Sequence, residues 1–179
     1  MRTSQRRSSG LVGGDIRRLL NATYRGGSMF PAAVLSTGGL QRFRRGANIL
    51  PADAFDPQNF DSLRGTVVSG DVVEIRNASK QMVGYGFLEA NTDSVNVFET
   101  RKTGAEPVKI DEAYWNRKLR DALTFRERFC LGPETNAFRV CHGAADGIPG
   151  LYLDFLGGVT RVTTTTCGAE TLLSTVRNF

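Results

Sequence analysis

Short alternations of apolar and polar residues fill the chain from Ala32 to about Thr103, and one long helical repeat follows them. Within Leu63 to Ile75, Thr66-Val67-Val68 reads as extended, Ser69-Gly70 as a turn, and Asp71-Val72-Val73-Glu74-Ile75 as a strand. Asn77-Ala78-Ser79-Lys80 is a turn cluster. Met82 to Leu88 predicts a second strand, in which Gly84 and Gly86 mark a bulge or a close backbone approach. Ser94 to Glu99 alternates, apolar on one face. Leu40 to Leu50 supplies a helical turn that ends near Pro51. Short strands at regular turn spacing predict a small antiparallel barrel.

The helical repeat opens at Asp111-Glu112, an acidic first turn that complements the helix dipole. Trp115, Leu119, Ala122, Leu123, Phe129 and Cys130 recur at helical spacing, with Arg126 interrupting one apolar position. Gly132-Pro133 stops the helix. Ala137 to Cys141 then reads as a strand and Gly143 to Gly150 as a Gly/Pro-rich loop. Leu151 to Asp154 and Val159 to Thr165 form a hairpin around Gly157-Gly158. Ala169 to Arg177 begins a last helix, which the sequence ends before completing.

Charge changes this picture only at one end. The 179 residues carry a formal net charge of +5, but residues 1–50 hold nine arginines and one acid, Asp15, so the rest of the chain is net −3. The stretch 1–27, rich in arginine and serine, has the composition of an organellar transit peptide, mitochondrial before plastid. The alternative is a disordered basic tail on a cytoplasmic protein. No run of about 20 mostly apolar residues exists, so no membrane insertion is expected. Three widely spaced cysteines (Cys130, Cys141 and Cys167) argue against a disulfide scaffold or zinc ribbon and fit a reducing compartment.

Candidate chemistry is sparse. Gly84-x-Gly86 lacks the third glycine and the following helix of a dinucleotide loop. Cys141-His142 lacks further ligands, because His142 is the only histidine. Cys130 and Cys167 have no identifiable base partner. Asp146 reads as a turn former bonding its own backbone before Gly147. Arg42, Arg44 and Arg45 cluster around Phe43 and read from charge alone as a solvated basic face, with RNA contact as the alternative, since arginine binds phosphate bidentately and stacks on bases. Arg101 and Lys102 are weaker candidates of the same kind, and Arg117, Lys118 and Arg120 read as a solvated helix face.

The segment Thr135-Asn136-Ala137-Phe138-Arg139-Val140, with Gly143, Asp146-Gly147-Ile148-Pro149-Gly150-Leu151 and Asp154, forms a specific pattern. It resembles the junction of bacterial PUA-domain-bearing, S-adenosylmethionine-dependent large-subunit rRNA cytosine-C5 methyltransferases. Leu40-Gln41-Arg42-Phe43-Arg44-Arg45 and Gly70 to Ile75 look like that family's opening PUA helix and second strand. The chain departs from the pattern at Gly46-Ala47-Asn48, where the family carries His-Pro-Trp, and at Ala144 and Phe155. The resemblance implies an α+β fold: residues 31–105 as a PUA-like small β-barrel that binds RNA, then 106–179 as an incomplete connecting domain of helix, β-hairpin and helix. Asn136, Arg139, Gly143, Asp146, Gly147, Pro149, Gly150 and Asp154 become its motif loop. It also implies that the cofactor fold and catalytic cysteines lie beyond Phe179, with no cofactor or catalysis expected in this chain. The implied partner is RNA, of ribosomal origin. A stand-alone noncatalytic RNA-binding or ribosome-assembly factor, and a protein-interaction module without an RNA role, are the competing expectations.

Overall fold

Residues 30–179, apart from 130 and 133, are described by the computed structural model; the Arg-rich stretch 1–27 and Cys130 lie outside the described residues. Strands β1 (Ala32–Val34), β2 (Ile49–Pro51), β3 (Val72–Arg76), β4 (Met82–Glu89) and β5 (Ser94–Thr100) form a sheet in the order β1-β3-β4-β5-β2. β1 runs parallel to β3, while the other pairs are antiparallel. Among the described residues the two edges meet at the bridge between Leu35 and Phe55, where Ser36 N–H donates to the Ala54 carbonyl at 3.0 Å and Asp56 N–H to the Val34 carbonyl at 2.8 Å. The expected antiparallel barrel is therefore corrected to a curled mixed sheet. The cause is what separates β1 from β3: two helices, α1 (Thr37–Arg44) and α2 (Pro57–Thr66), make the crossover that a parallel pair requires.

Both helices start at side-chain caps. The Ser36 hydroxyl accepts from the Gly39 N–H at 3.1 Å, and the Asp56 carboxylate accepts from the Asn59 N–H at 2.9 Å, with Pro57 preset for the first turn. Phe60 and Leu63 are the buried positions of α2, so Leu63 to Thr66 is helical and the extended reading of Thr66 is corrected. The Asn59 carboxamide meets the outer edge of β1, accepting from Val34 N–H at 2.7 Å and donating to the Ala32 carbonyl at 3.1 Å.

The sheet is buried on both faces. Val73, Ile75, Val95 and Val97 pack with Phe43, Leu50, Phe55, Phe60 and Leu63 under α1 and α2. Val72, Tyr85, Phe87 and Phe98 pack on the opposite side. The expectation that only one face of Ser94 to Glu99 is apolar fails, because Phe98 faces this second core. Bulges allow it. Ile75 pairs with Gly84 and Arg76 with Met82, leaving Val83 extra, and Tyr85 pairs with Glu99 and Gly86 with Val97, leaving Phe98 extra. The irregularities lie beside the glycines rather than at them, since Gly84 and Gly86 themselves stay paired. Gly84 also admits the Phe43 ring, which an added Cβ would meet at 3.0 Å.

The second core is completed by the rest of the chain. Helix α3 (Glu112–Phe129) has the expected 18 residues, is capped by the Asp111 carboxylate on Tyr114 N–H at 3.0 Å, and buries Tyr114, Trp115, Leu119 and Ala122. Trp115 stacks on Phe87 at 5.4 Å and meets Phe98 edge-on at 4.8 Å between ring centroids. Strands β6 (Ala137–His142), β7 (Leu151–Leu156) and β8 (Val159–Thr164) form an antiparallel meander. Gly157 and Gly158 have φ of 57° and 99°, as a two-residue primed turn demands. The expected single last helix is instead two short ones, α4 (Cys167–Glu170) and α5 (Leu173–Asn178), broken at Thr171 and Leu172. The buried Glu89 carboxylate accepts from Cys167 N–H at 3.0 Å and Gly168 N–H at 2.9 Å, which joins the end of β4 to the start of α4.

Candidate nucleic-acid interface

Phe43 points inward from α1 and so turns Arg42, Arg44 and Arg45 outward at the helix's last turn and cap. Cations at this end suit the negative pole of the helix dipole. The three are not equivalent. Arg42 makes a two-pronged contact with Asp53, Nη1 to Oδ1 at 2.7 Å and Nη2 to Oδ2 at 3.0 Å. That hydrogen-bonded guanidinium holds the Asp53 carboxyl below the usual carboxylate range. Arg44 and Arg45 are exposed and have no acidic partner among the described residues. Asp53 escapes sequence reasoning because a short 3₁₀ turn, Ala52–Ala54, brings it back against the helix.

Arg101 and Lys102 also differ from each other. Arg101 donates to the Glu106 carbonyl at 2.9 Å and lies 3.8 Å from Glu99, whereas Lys102 is exposed. Glu99 is the hub of this corner. It accepts from the Tyr114 hydroxyl at 2.7 Å, and Lys118 Nζ reaches it at 3.0 Å, so Lys118 is a structural tie rather than part of a solvated face. Burial alone pushes the Glu99 carboxyl up, but the Tyr114 and Lys118 hydrogen bonds outweigh it and the net shift is downward. A lowered carboxylate contributes stability that is present above its unfolded value of about 4.3 and is lost as pH falls through the lowered folded value. The stability advantage of the native chain over Glu99→Gln should therefore be full near neutrality and vanish in acid. Urea unfolding at a series of pH values checks this, and a constant difference would refute it.

The motif loop proves to be a rigid corner. Arg126 forms a two-pronged pair with Asp146 at 2.6 Å on both arms, with side chains only 14% and 12% exposed. Asp146 Oδ2 also accepts from His142 N–H at 2.6 Å. It does bind nearby backbone, as expected, but its main partner is the arginine that interrupts the apolar stripe of α3. Arg139 pairs across strands with Asp154 (2.7 Å and 3.3 Å), contacts His142 Nδ1 at 3.0 Å and lies over the Tyr152 ring. Gly143, Gly147 and Gly150 all have positive φ, and a Cβ at Gly147 would come within 2.8 Å of Lys118 Nζ. The Pro149 carbonyl accepts from the Thr166 hydroxyl at 3.2 Å, and the Asn136 carbonyl accepts from Gly157 N–H at 2.7 Å.

Metal chemistry finds no site among the described residues. No group of three metal-binding side chains forms, and burial pushes the Cys141 thiol up to about 11. A shallow cleft of about 330 Å³ does open between α3 and α5, lined by Asn116, Arg120, Leu123, Asn178 and Phe179. No described helix is long and apolar enough to cross a membrane.

Comparison with known proteins places this geometry. No family model matches the chain. It is 28% identical over 109 residues, 60% of its length, to a ribosomal RNA large subunit methyltransferase I of Alteromonas mediterranea, of which it spans 26%. It is 38% identical over 58 residues, 30% of its length, to a ribosomal RNA large subunit methyltransferase of Deinococcus radiodurans, of which it spans 14%. In three dimensions 82% of it overlays 37% of a chain described as a SAM-dependent methyltransferase of Streptococcus mutans, with TM-score 0.60 and 14% identity. A methyltransferase solved with SAH matches over the same shares, with TM-score 0.61 and 14% identity.

The sequence likenesses are to rRNA large-subunit methyltransferases, and the fold likenesses are to chains described as SAM-dependent methyltransferases. The expectation of a PUA-like barrel followed by an incomplete connecting domain gives way to a methyltransferase-like α/β fold with a curled mixed sheet. The expectation of no cofactor is contradicted by the likeness to a structure that was solved with SAH bound to that protein. The cleft beside α3 offers carboxamides and a guanidinium but no acidic side chain for the ribose hydroxyls or the amino-acid end of that cofactor, so its lining does not fit the whole molecule.

Proposed function

We propose that the chain belongs to an rRNA methyltransferase-like protein of the cytosine-C5 class and that it grips RNA through the exposed cationic turn of α1. Arg44 and Arg45 contact phosphates, Arg42 is held in line by Asp53, and Lys102 adds a further cation from the end of β5. The observation that carries this reading is the pair of exposed, acid-free guanidinium groups beside the inward Phe43, in a chain similar over 109 residues to an rRNA methyltransferase. Arginine suits the role because its planar fork matches a phosphate. Each phosphate neutralised contributes about 0.7–0.9 to the salt-dependence slope of binding. Replacing Arg44 and Arg45 together with alanine in the full chain should thus weaken binding to large-subunit rRNA fragments and lower the slope by about 1.4–1.8. The fold should persist, since exposed substitutions of this kind change stability by less than about 0.5 kcal/mol. Unchanged affinity and slope in the folded double variant would remove the α1 turn from the interface.

A further inference from the structure

The β6–β8 meander turns one face away from the second core, and that face is polar. Leu151 and Leu153 are buried, so the residues that alternate with them along β7, Tyr152 and Asp154, point outward. The register sets Arg139 of β6 and Arg161 of β8 directly beside Asp154, and His142 beside Tyr152. One carboxylate thus stands between two guanidinium groups and is bonded to only one of them. Arg139 is fixed on three sides. Its Nε and Nη2 donate to Asp154, its Nη1 meets His142 Nδ1 at 3.0 Å, and the Tyr152 ring lies beneath it at 5.3 Å. The Arg139 side chain is still 43% exposed. Arg161 is exposed and forms no hydrogen bond or close ion pair with a described residue. Helix α3, and α5 packed against it, lie on the opposite side of this sheet, with the core that holds Leu151 and Leu153.

We propose that this face takes one unstacked base and its phosphate from single-stranded RNA: the base lies on the outer side of the Arg139 guanidinium, and Arg161 binds the phosphate. Splayed bases stack on guanidinium planes as they do on aromatic rings. Asp154, His142 and Tyr152 already orient Arg139, so little side-chain freedom is lost when a base settles on it. The second guanidinium leaves the row with an excess positive charge, which a phosphate complements through charge-assisted hydrogen bonds. An acidic peptide would satisfy Arg161 but brings no planar group to Arg139.

This inference rests on the RNA-binding reading above and adds a contact outside α1, and the test separates the two. Hexauridylate and a hexamer of abasic sugar-phosphate units differ in their bases alone. The full chain should bind hexauridylate about tenfold more tightly than the abasic hexamer, the range of one stacked base, with shifts in the amide resonances of Arg139, Tyr152 and Arg161. Arg139→Lys keeps the charge without the plane and should erase that preference. Arg161→Ala should weaken both hexamers and leave their ratio unchanged. The amide spectrum of each variant checks its fold, and the comparison of the two hexamers on the native chain needs no variant. If rRNA fragments bind and respond to the Arg44 and Arg45 changes, yet the two hexamers bind alike or leave these resonances still, the base platform is overturned and the α1 reading stands. If polyglutamate binds as tightly as hexauridylate and shifts the same resonances, the nucleotide assignment is overturned in favour of a general anion surface. If the native chain binds no RNA at all, both readings fall together.

Discussion

Arg126→Ala is expected to destabilise the protein by about 3–5 kcal/mol, the loss typical of removing one partner from a buried ion pair. Asp146 would be left 12% exposed with its charge uncompensated and only the His142 N–H to answer it. The loss also removes the bond from the Arg126 guanidinium to the Arg139 carbonyl at 3.2 Å, and so loosens α3 from β6. Replacing both partners with apolar residues of similar volume, Arg126→Met with Asp146→Leu, should recover much of the stability, because the desolvation cost disappears with the charges. Denaturant titration of the two variants decides the point. Equal instability of the single and double variants would mean that the pair's backbone hydrogen bonds, not its charges, hold the corner.

Gly168→Ala is the second large effect, expected to cost about 1–3 kcal/mol as overpacking of a close-packed core. The added methyl group would overlap the Phe87 ring and lie 2.6 Å from its Cβ. Phe87 cannot swing aside, being about 1% exposed and stacked on Trp115. Relief must come from α4 moving, which stretches the two bonds from the Glu89 carboxylate. A lowered unfolding midpoint, with slowed exchange protection lost at Cys167 and Gly168, is the expected result. An alanine variant as stable as the native chain would show that α4 shifts freely.

Features governed by local rules were legible in the sequence. The spacing of Trp115, Leu119 and Ala122 specified α3, and the Gly157-Gly158 pair specified the β7–β8 hairpin, because each signal acts within a few residues. Arg126 read as an interruption for the converse reason: its partner is 20 residues away and reaches it only once the loop has folded. Glu89 gave no sign of its role, since the amides it receives lie 78 and 79 positions later. The mixed sheet was hidden in the three residues of β1, too few for any periodicity to show a parallel pairing. In the candidate interface, the outward direction of Arg44 and Arg45 follows from Phe43 being the apolar residue between them. The engagement of Arg42 by Asp53 does not, and neither does the cleft, whose walls come from opposite ends of the 106–179 stretch.

The Asn59 carboxamide has a consequence for the behaviour of many copies of this chain together. An edge strand normally offers a foreign strand a row of vacant donors and acceptors, the template from which aggregates grow. At β1 the donor of Val34 and the acceptor of Ala32 are already taken by one amide group in the shape of a missing strand. That border of the sheet cannot be extended by a neighbour without first evicting a side chain anchored in α2. Asn59 shares this edge with the Asp56 N–H, which bonds the Val34 carbonyl at 2.8 Å, and a leucine in its place would keep the helix while freeing the Val34 donor and the Ala32 acceptor.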